Sequence, residues 1–465
     1  MAISSQGIGS GLDVNSIVTQ LVAIERQPLQ PLQAKASTLK AQLSLYGTVK
    51  SQASTLGDAA ALLVGASGWN IPKASSSNAS AVTVTAGANA AAASISVEVS
   101  QLARAQSAGS AAITAGTAAG ASGNLTIELG AWTDGLPPVF TPGSSLSVAV
   151  DAADTLTAIA AKINATANVG VTATVLRDGP NERLVIRSNG SGTAAGFRVA
   201  APAVAGALGL TNPSDGVNFV GQTAQDAKVK INGISVVSAT NKLTDVLPGV
   251  TLQLTQTTSA PVAITVENDL DAVQKNIQNF VDAYNALNQT LADATKYDGF
   301  SKKGGLLQGD STTVGLQNTL RAILGSSSTG SSFSRLSEIG IERQADGSLK
   351  LNATKLKTAM QDMDNLKKLF TTNNGDAATN GFGLKVRDFA RGLVASDGRV
   401  TNKSTALQGS ITRNSSDQDR VSDRAARVEV ALRRQYTALD RQMAQMTGLS
   451  AYVTAQLAQW NKPTQ

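Results

Sequence analysis

Ser37-Thr38-Leu39-Lys40 sets a hydroxyl and an amine at the spacing that β-lactamase-type hydrolases use for their nucleophile and base. The run lies inside a helix-like stretch with Leu39 on its apolar stripe. The nearest candidate for the companion Lys-Thr-Gly is Lys357-Thr358-Ala359. Gly299 and Gly304 have phosphate-loop spacing, but Gly305-Leu306 stands where Lys and Ser or Thr would neutralise and hold a phosphate. Gly7-Ile8-Gly9-Ser10-Gly11 follows a dinucleotide-turn pattern without the strand that must precede one. The chain has no histidine and no cysteine. This removes histidine-based triads, thiolate chemistry and the usual ligands of zinc and copper. Paired carboxylates could still cleave glycosides, but no spacing singles out a pair. The expectation is a protein that is not an enzyme and holds no cofactor and no metal.

Binding chemistry is equally sparse. The 465 residues carry a net charge of +6 with only 15% charged residues. The Lys and Arg are dispersed rather than gathered into the stripe that nucleic-acid binding needs. No apolar window reaches the ~18 residues of a membrane span. The start, Met-Ala-Ile-Ser-Ser-Gln-Gly, lacks the basic and apolar regions of a cleavable signal peptide. No nucleic acid and no membrane insertion are therefore expected, and any export would read the mature chain. Aromatics make up 4% of residues, which suits short strands and thin sheets better than one aromatic-anchored core.

What remains are the elements themselves. Val14, Ile17, Val18, Leu21 and Ile24 are spaced for one face of a short helix capped by Asp13 or Asn15 and broken by Pro28 and Pro31. Leu32, Ala36, Leu39, Leu43, Tyr46, Ala53, Leu56, Ala60 and Leu63 predict a long, coiled-coil-like helix over about 32–63. From Ala74 to Glu267 the period changes to two, as in Ile95-Ser96-Val97-Glu98-Val99 and Leu125-Thr126-Ile127-Glu128-Leu129. Asp178-Gly179-Pro180, Asn232-Gly233 and Pro248-Gly249 supply turns. A short helix capped by Asp154 interrupts the strands, and the Ala/Gly/Ser/Thr-rich run 103–123 reads as a boundary or flexible loop.

Helical spacing returns at Asp269 with Val273, Ile277, Phe280, Val281, Tyr284 and Leu287. A helix from Ser311 follows, then a hairpin turned at Asp346-Gly347 and a helix capped by Asn352 that carries Leu356, Met360, Met363, Leu366 and Phe370. The last long helix has a capping-box start at Ser416-Asp417-Gln418-Asp419 and a stripe of Val421, Ala425, Val428, Leu432, Tyr436, Leu439, Met443 and Met446. Gly448 interrupts it, Ser450 recaps it, and Tyr452, Val453, Leu457 and Trp460 form an apolar end. The fold class is thus α+β multidomain, with coiled-coil-like legs from both termini and nested β-rich domains between them. The expected divisions are 1–42 with 408–465 as leg segments and 43–72 with 270–407 as a helical domain with a hairpin. Residues 73–104 with 224–269 form a β-rich domain, and 105–223 an inserted, more variable one.

Several runs carry a resemblance to a known family. Gly9-Ser10-Gly11-Leu12-Asp13 and Leu21-Val22-Ala23-Ile24-Glu25-Arg26-Gln27-Pro28-Leu29 resemble the opening of the flagellar filament cap family, also called flagellar hook-associated protein 2 or FliD. Ser96-Val97-Glu98-Val99-Ser100-Gln101-Leu102-Ala103, Phe280-Val281-Asp282-Ala283-Tyr284-Asn285, Gly309-Asp310-Ser311 and Gln435-Tyr436-Thr437-Ala438-Leu439-Asp440 are similar to later segments in the same order. Ile231-Asn232-Gly233-Ile234 with Leu243–Val250 resembles the hook-type insert shared with flagellins. The resemblance implies a structural cap at the distal filament end that promotes flagellin folding and polymerisation. It implies flagellin as partner, a homo-oligomeric ring of about five or six subunits, a flagellar export chaperone, and an extracellular place at the flagellum tip. Leu21, Ile24, Leu439, Met443, Met446, Tyr452, Leu457 and Trp460 are then the expected docking knobs. Another axial flagellar protein, or a secreted adhesin for host surface glycans, is the alternative.

Overall fold

A computed structural model describes residues 13–133, 135–166, 170–200, 202–300 and 302–460. Its helices are α1 (Val14–Arg26), α2 (Leu29–Val64), α3 (Leu156–Asn164), α4 (Pro202–Leu208), α5 (Leu270–Thr295), α6 (Ser311–Gly325), α7 (Ala353–Ala359), α8 (Met363–Thr371), α9 (Phe382–Val394) and α10 (Arg399–Trp460). Two compact units result. One joins the chain up to Trp69 with the chain from Asp271 onward, and the other is Asn70–Leu270. Among the described residues no helix is long and apolar enough to cross a membrane.

The helical unit is built on α2, which packs along α9 and α10. Asp13 caps α1 by accepting from the Ser16 N–H, and the chain breaks at Gln27-Pro28. Pro31 is absorbed in the first turn of α2, where its missing N–H costs nothing. The inner half of α2 buries Tyr46, Val49, Ala53, Leu56, Ala60 and Leu63 completely. Despite the sparse aromatics, this unit has an aromatic anchor. Phe370 lies 5.6 Å from Trp69 and 6.1 Å, edge-on, from Phe280, and Trp69 Nε1 donates to the Leu63 carbonyl. The hairpin Ile341–Arg343 with Leu349–Leu351 turns at Asp346-Gly347, and Asn352 caps α7 through the Lys355 N–H.

Two helical expectations need correcting, and one helix was not foreseen. The stretch expected as one helix after Asn352 is α7, a 3-10 turn and α8, which Asp362 caps anew. Helix α9 gave no readable signal, because Gly383 and Gly392 dilute its propensity and its N-terminal turns are buried all round. Helix α10 begins at Arg399, well before the capping-box pattern, and runs unbroken through Gly448 and Ser450 for 62 residues. One glycine costs only ~1 kcal/mol in a long helix.

The β unit holds two cores. One five-stranded antiparallel sheet runs in the order Pro72–Ser76, Val262–Asn268, Ala93–Gln101, Ala227–Ile231, Ile234–Ser238. It shares a core with the sheet Lys242–Leu247, Val250–Leu254, Val82–Ala86 through Val97, Val99, Ile264 and Leu252. Asn232-Gly233 makes the tight hairpin with φ of 51° and 82°, and Asn232 Oδ1 accepts from the Ser96 N–H. Gly249 turns with φ 74°, and a Cβ there would stand 2.8 Å from the Ala90 nitrogen.

The second core, around Leu125, Ile127, Leu156, Ile163, Ile186 and Phe197, is enclosed by strands between Ser107 and Gln222 together with α3 and α4. Thr155, not Asp154, caps α3; Asp154 instead pairs with Lys162 at 2.5 Å. The supposed flexible run 103–123 is ordered. Its small residues let Ser107–Gly109 lie against Asn181–Ser188, and fully buried Gln106 accepts from Trp132 Nε1 (2.8 Å) and the Phe197 N–H (2.9 Å).

Candidate docking surface

The glycine-rich opening at Gly7–Gly11 lies outside the described residues. From Asp13 onward, α1 lies antiparallel on α10. Val14, Val18 and Val22 are buried against Ala425, with Leu432 and Tyr436 beside them. Three polar contacts fix the direction: Arg433 Nη1 donates to Asn15 Oδ1 (3.1 Å), Arg424 pairs with Glu25 (3.0 Å) and Arg26 with Glu429 (4.0 Å).

Past Tyr436 the seam continues without a cover among the described residues. Leu439, Met443, Met446, Ser450, Val453, Leu457 and Trp460 alternate in steps of four and three, the spacing of a coiled-coil seam. Leu439 is 42% exposed, Met443 38%, Met446 68% and Leu457 54%. No charged residue stands between Arg441 and the helix end. Tyr452, also exposed, sits about 100° around the helix from Val453 and so off the seam. Exposed Val453 holds the seam position, with Tyr452 and Leu449 beside it. The side chain of Trp460 lies outside the described residues.

Leu21 and Ile24 are not part of this strip. Half-buried Leu21, three residues after Val18, flanks the face that α1 buries, and Ile24, 58% exposed, points away from it. Glu25 meets Arg424, and from there to Leu439 the helix rises ~22 Å.

A second cluster escaped the sequence reading. At the inner end of the leg, Asp310 caps α6 through the Thr313 N–H (2.9 Å). The same carboxylate accepts from the Tyr46 hydroxyl of α2 (2.6 Å) and pairs with Lys403 of α10 (2.6 Å). Burial alone would raise the Asp310 carboxyl, but Lys403, Tyr46 and the Thr313 N–H outweigh it and bring it from 3.8 down to about 2. Burial and then the carboxylate push the Tyr46 hydroxyl up. The one readable signal was an Asp placed directly before a Ser-started helix.

The decoys are structural. Ser37 donates its hydroxyl to the Gln33 carbonyl on an exposed face of α2. Gly304 belongs to the hairpin Tyr297–Asp298 with Lys303–Gly304. Among the described residues no group of three acidic side chains could hold a metal ion.

Sequence families described as flagellar hook-associated protein 2 N-terminus and C-terminus match residues 10–106 and 224–448. A flagellar hook-associated protein 2 of Salmonella typhimurium is 30% identical, with 99% of each chain covered. The chain belongs to the flagellar hook-associated protein 2 family. The relative of the same name from Escherichia coli K12 is 29% identical over 98% of both chains. The crystal structure of the flagellar cap protein FliD D1-D2-D3 domains from Escherichia coli matches with a TM-score of 0.58 at 26% identity. It covers 78% of this chain and 99% of its own. A flagellin hook IN motif matches residues 140–190, not the 231–250 region expected to resemble it. That segment is strand Phe140–Val150, α3 and the hairpin Val171–Asp178 with Asn181–Ser188.

Proposed function

We propose that this member of the hook-associated protein 2 family is the structural cap at the distal end of the flagellar filament, and that it docks flagellin through the uncovered seam of α10. Leu439, Met443, Met446 and Leu457 lie on the seam that α1 already covers farther in. The same coiled-coil spacing that accepts α1 therefore awaits another helix. Tyr452 and Trp460 flank and end this surface, and Leu21 and Ile24 form a separate, smaller contact on α1.

The docking energy is modest by construction, since an exposed row of Leu and Met offers area without buried charge pairs. A contact of that kind can hold the tip and still release when a new subunit inserts. In this reading copies of the chain form a ring, an export chaperone shields the strip before secretion, and the protein works outside the cell at the flagellum tip. The division into leg, helical, β-rich and inserted β-rich parts gives the ring its β plate. Relatives matching almost end to end favour the cap over flagellin or a junction protein. Host surface glycans would be a further partner of the inserted part alone.

The test is Leu439→Asp with Met443→Asp in the full chain, followed by fractionation of flagellin between filaments and culture medium. The expected outcome is a secreted cap protein with most flagellin lost as monomer. Filaments of normal length would overturn the assignment.

A further inference from the structure

The sequence pattern for a helix start at Ser416-Asp417-Gln418-Asp419 is strong, yet the structure carries α10 straight through it. The stretch just before it is poor helix material. Gly409, Ser410, Thr412, Asn414, Ser415 and Ser416 follow one another with only Ile411 and Arg413 between them. Ser410, Thr412 and Ser416 donate their hydroxyls back to the carbonyls of Ala406, Gln408 and Thr412. Such back-bonding weakens and bends a helix.

Packing fails at the same level. A cavity of about 340 Å3 lies between α2 and α10, lined on one side by Gln33, Ala36, Ser37 and Lys40. Asn414 on the other side is only 3% exposed, and its Nδ2 has no partner among the described residues although its Oδ1 accepts from Gln418 Nε2 (2.7 Å). An unpaired buried amide favours opening. On either side the packing is tight, with Tyr46 and Val49 inward and Ala425 outward all buried. The other strand of the leg is interrupted nearby. Gln33 faces Gln418 across the cavity and Glu25 meets Arg424. The break between α1 and α2 at Gln27-Pro28 therefore lies within about two helical turns of Ser416.

We propose that α10 carries a second start: the helix opens over 409–415, and Ser416 becomes the N-cap of a distal arm made of 417–460 and α1. In the open form the Ser416 hydroxyl leaves the Thr412 carbonyl and accepts from the Asp419 N–H. Asp417 and Asp419 then lie in the first turn, where their charge is favoured by the helix dipole. In the continuous helix the same residues are weak helix formers, Ser416 and Asp419 at exposed positions and Asp417 half-buried beside Arg420. The contacts of α1 with Ala425, Leu432 and Tyr436 lie beyond the opening and travel with the arm. This inference rests on α2 and α10 alone and holds whatever the arm docks to.

Hydrogen–deuterium exchange of the full chain tests it. Backbone amides of 409–415 should exchange at least about tenfold faster than those of 399–408 and 420–432. Ser416→Ala with Asp419→Ala removes the alternative cap and should slow that window by about tenfold. Ser422→Ala with Asp423→Ala, one to two turns farther along, changes propensity equally and should leave 409–415 as it was. Uniform protection across 399–432, or equal effects of the two double variants, would overturn the second start.

Discussion

Replacing Asp310 with Asn removes one negative charge from a site where α2, α6 and α10 converge. The side chain is 12% exposed, and its partner Lys403 is 34% exposed. The folded carboxyl titrates near 2 against an ordinary 3.8, a difference that corresponds to about 2 kcal/mol of folded-state preference for the charged form. A carboxyl with a depressed folded pKa contributes its full stabilisation above its unfolded pKa. The contribution fades as pH falls from about 5, through 3.8, toward 2. Asp310→Asn keeps the shape and part of the helix cap, so the loss at pH 7 should be about 2 kcal/mol. The loss should shrink steadily below pH 5.

Urea unfolding followed by the fluorescence of Trp69, with Trp132 and Trp460 replaced by Phe, reads the helical unit at each pH. Adding Lys403→Met to Asp310→Asn should return part of the loss, because the unpaired ammonium goes with it. A difference under 0.5 kcal/mol at pH 7, or one that does not change down to pH 3, would refute the electrostatic account and leave Asp310 as a simple cap.

Three further outcomes follow from packing and backbone conformation. Phe370→Ala removes the ring that touches both Trp69 and Phe280 and should cost 3–5 kcal/mol. Calorimetry should show the helical transition moving down while that of the β unit stays in place. Gly249→Ala asks a side chain to adopt φ 74° within 2.8 Å of the Ala90 nitrogen. It should destabilise the β unit by at least ~2 kcal/mol, whereas Gly448→Ala, in open space, should stabilise α10 by up to ~1 kcal/mol.

The parts of the fold that could be read are those where one periodicity dominates. Tyr46 to Leu63 on α2 and Val273 to Leu291 on α5 bury one face each, so spacing alone located them. Where burial is two-sided or the composition is neutral, the signal vanished. Lys385, Val386 and Leu384 of α9 are all buried together, which no 3.6-residue stripe describes. The first part of α10 is held helical by its contacts with α2 rather than by its own residues, so propensity placed the start too late. The small residues around Gln106 looked mobile because a sequence does not reveal that one amide closes the gap between Trp132 and Phe197. The strip at Leu439–Leu457 was legible by its spacing. Tyr452 was singled out by its size, and its helical position puts it beside the row rather than in it. Asp310 was visible as a cap, but its partners Tyr46 and Lys403 are remote in sequence, and only folding brings them together.

The row of Leu439, Met443, Met446, Val453 and Leu457 repeats every seven residues, while an unstrained helix needs 7.2 for two turns. On a straight rod the row therefore winds backward by about 20° per repeat, or roughly 50° by its far end. A rigid, linear mate could follow it for little more than two repeats. Full engagement from Leu439 outward would oblige both rods to coil left-handedly around each other, so that gripping and twisting become a single act.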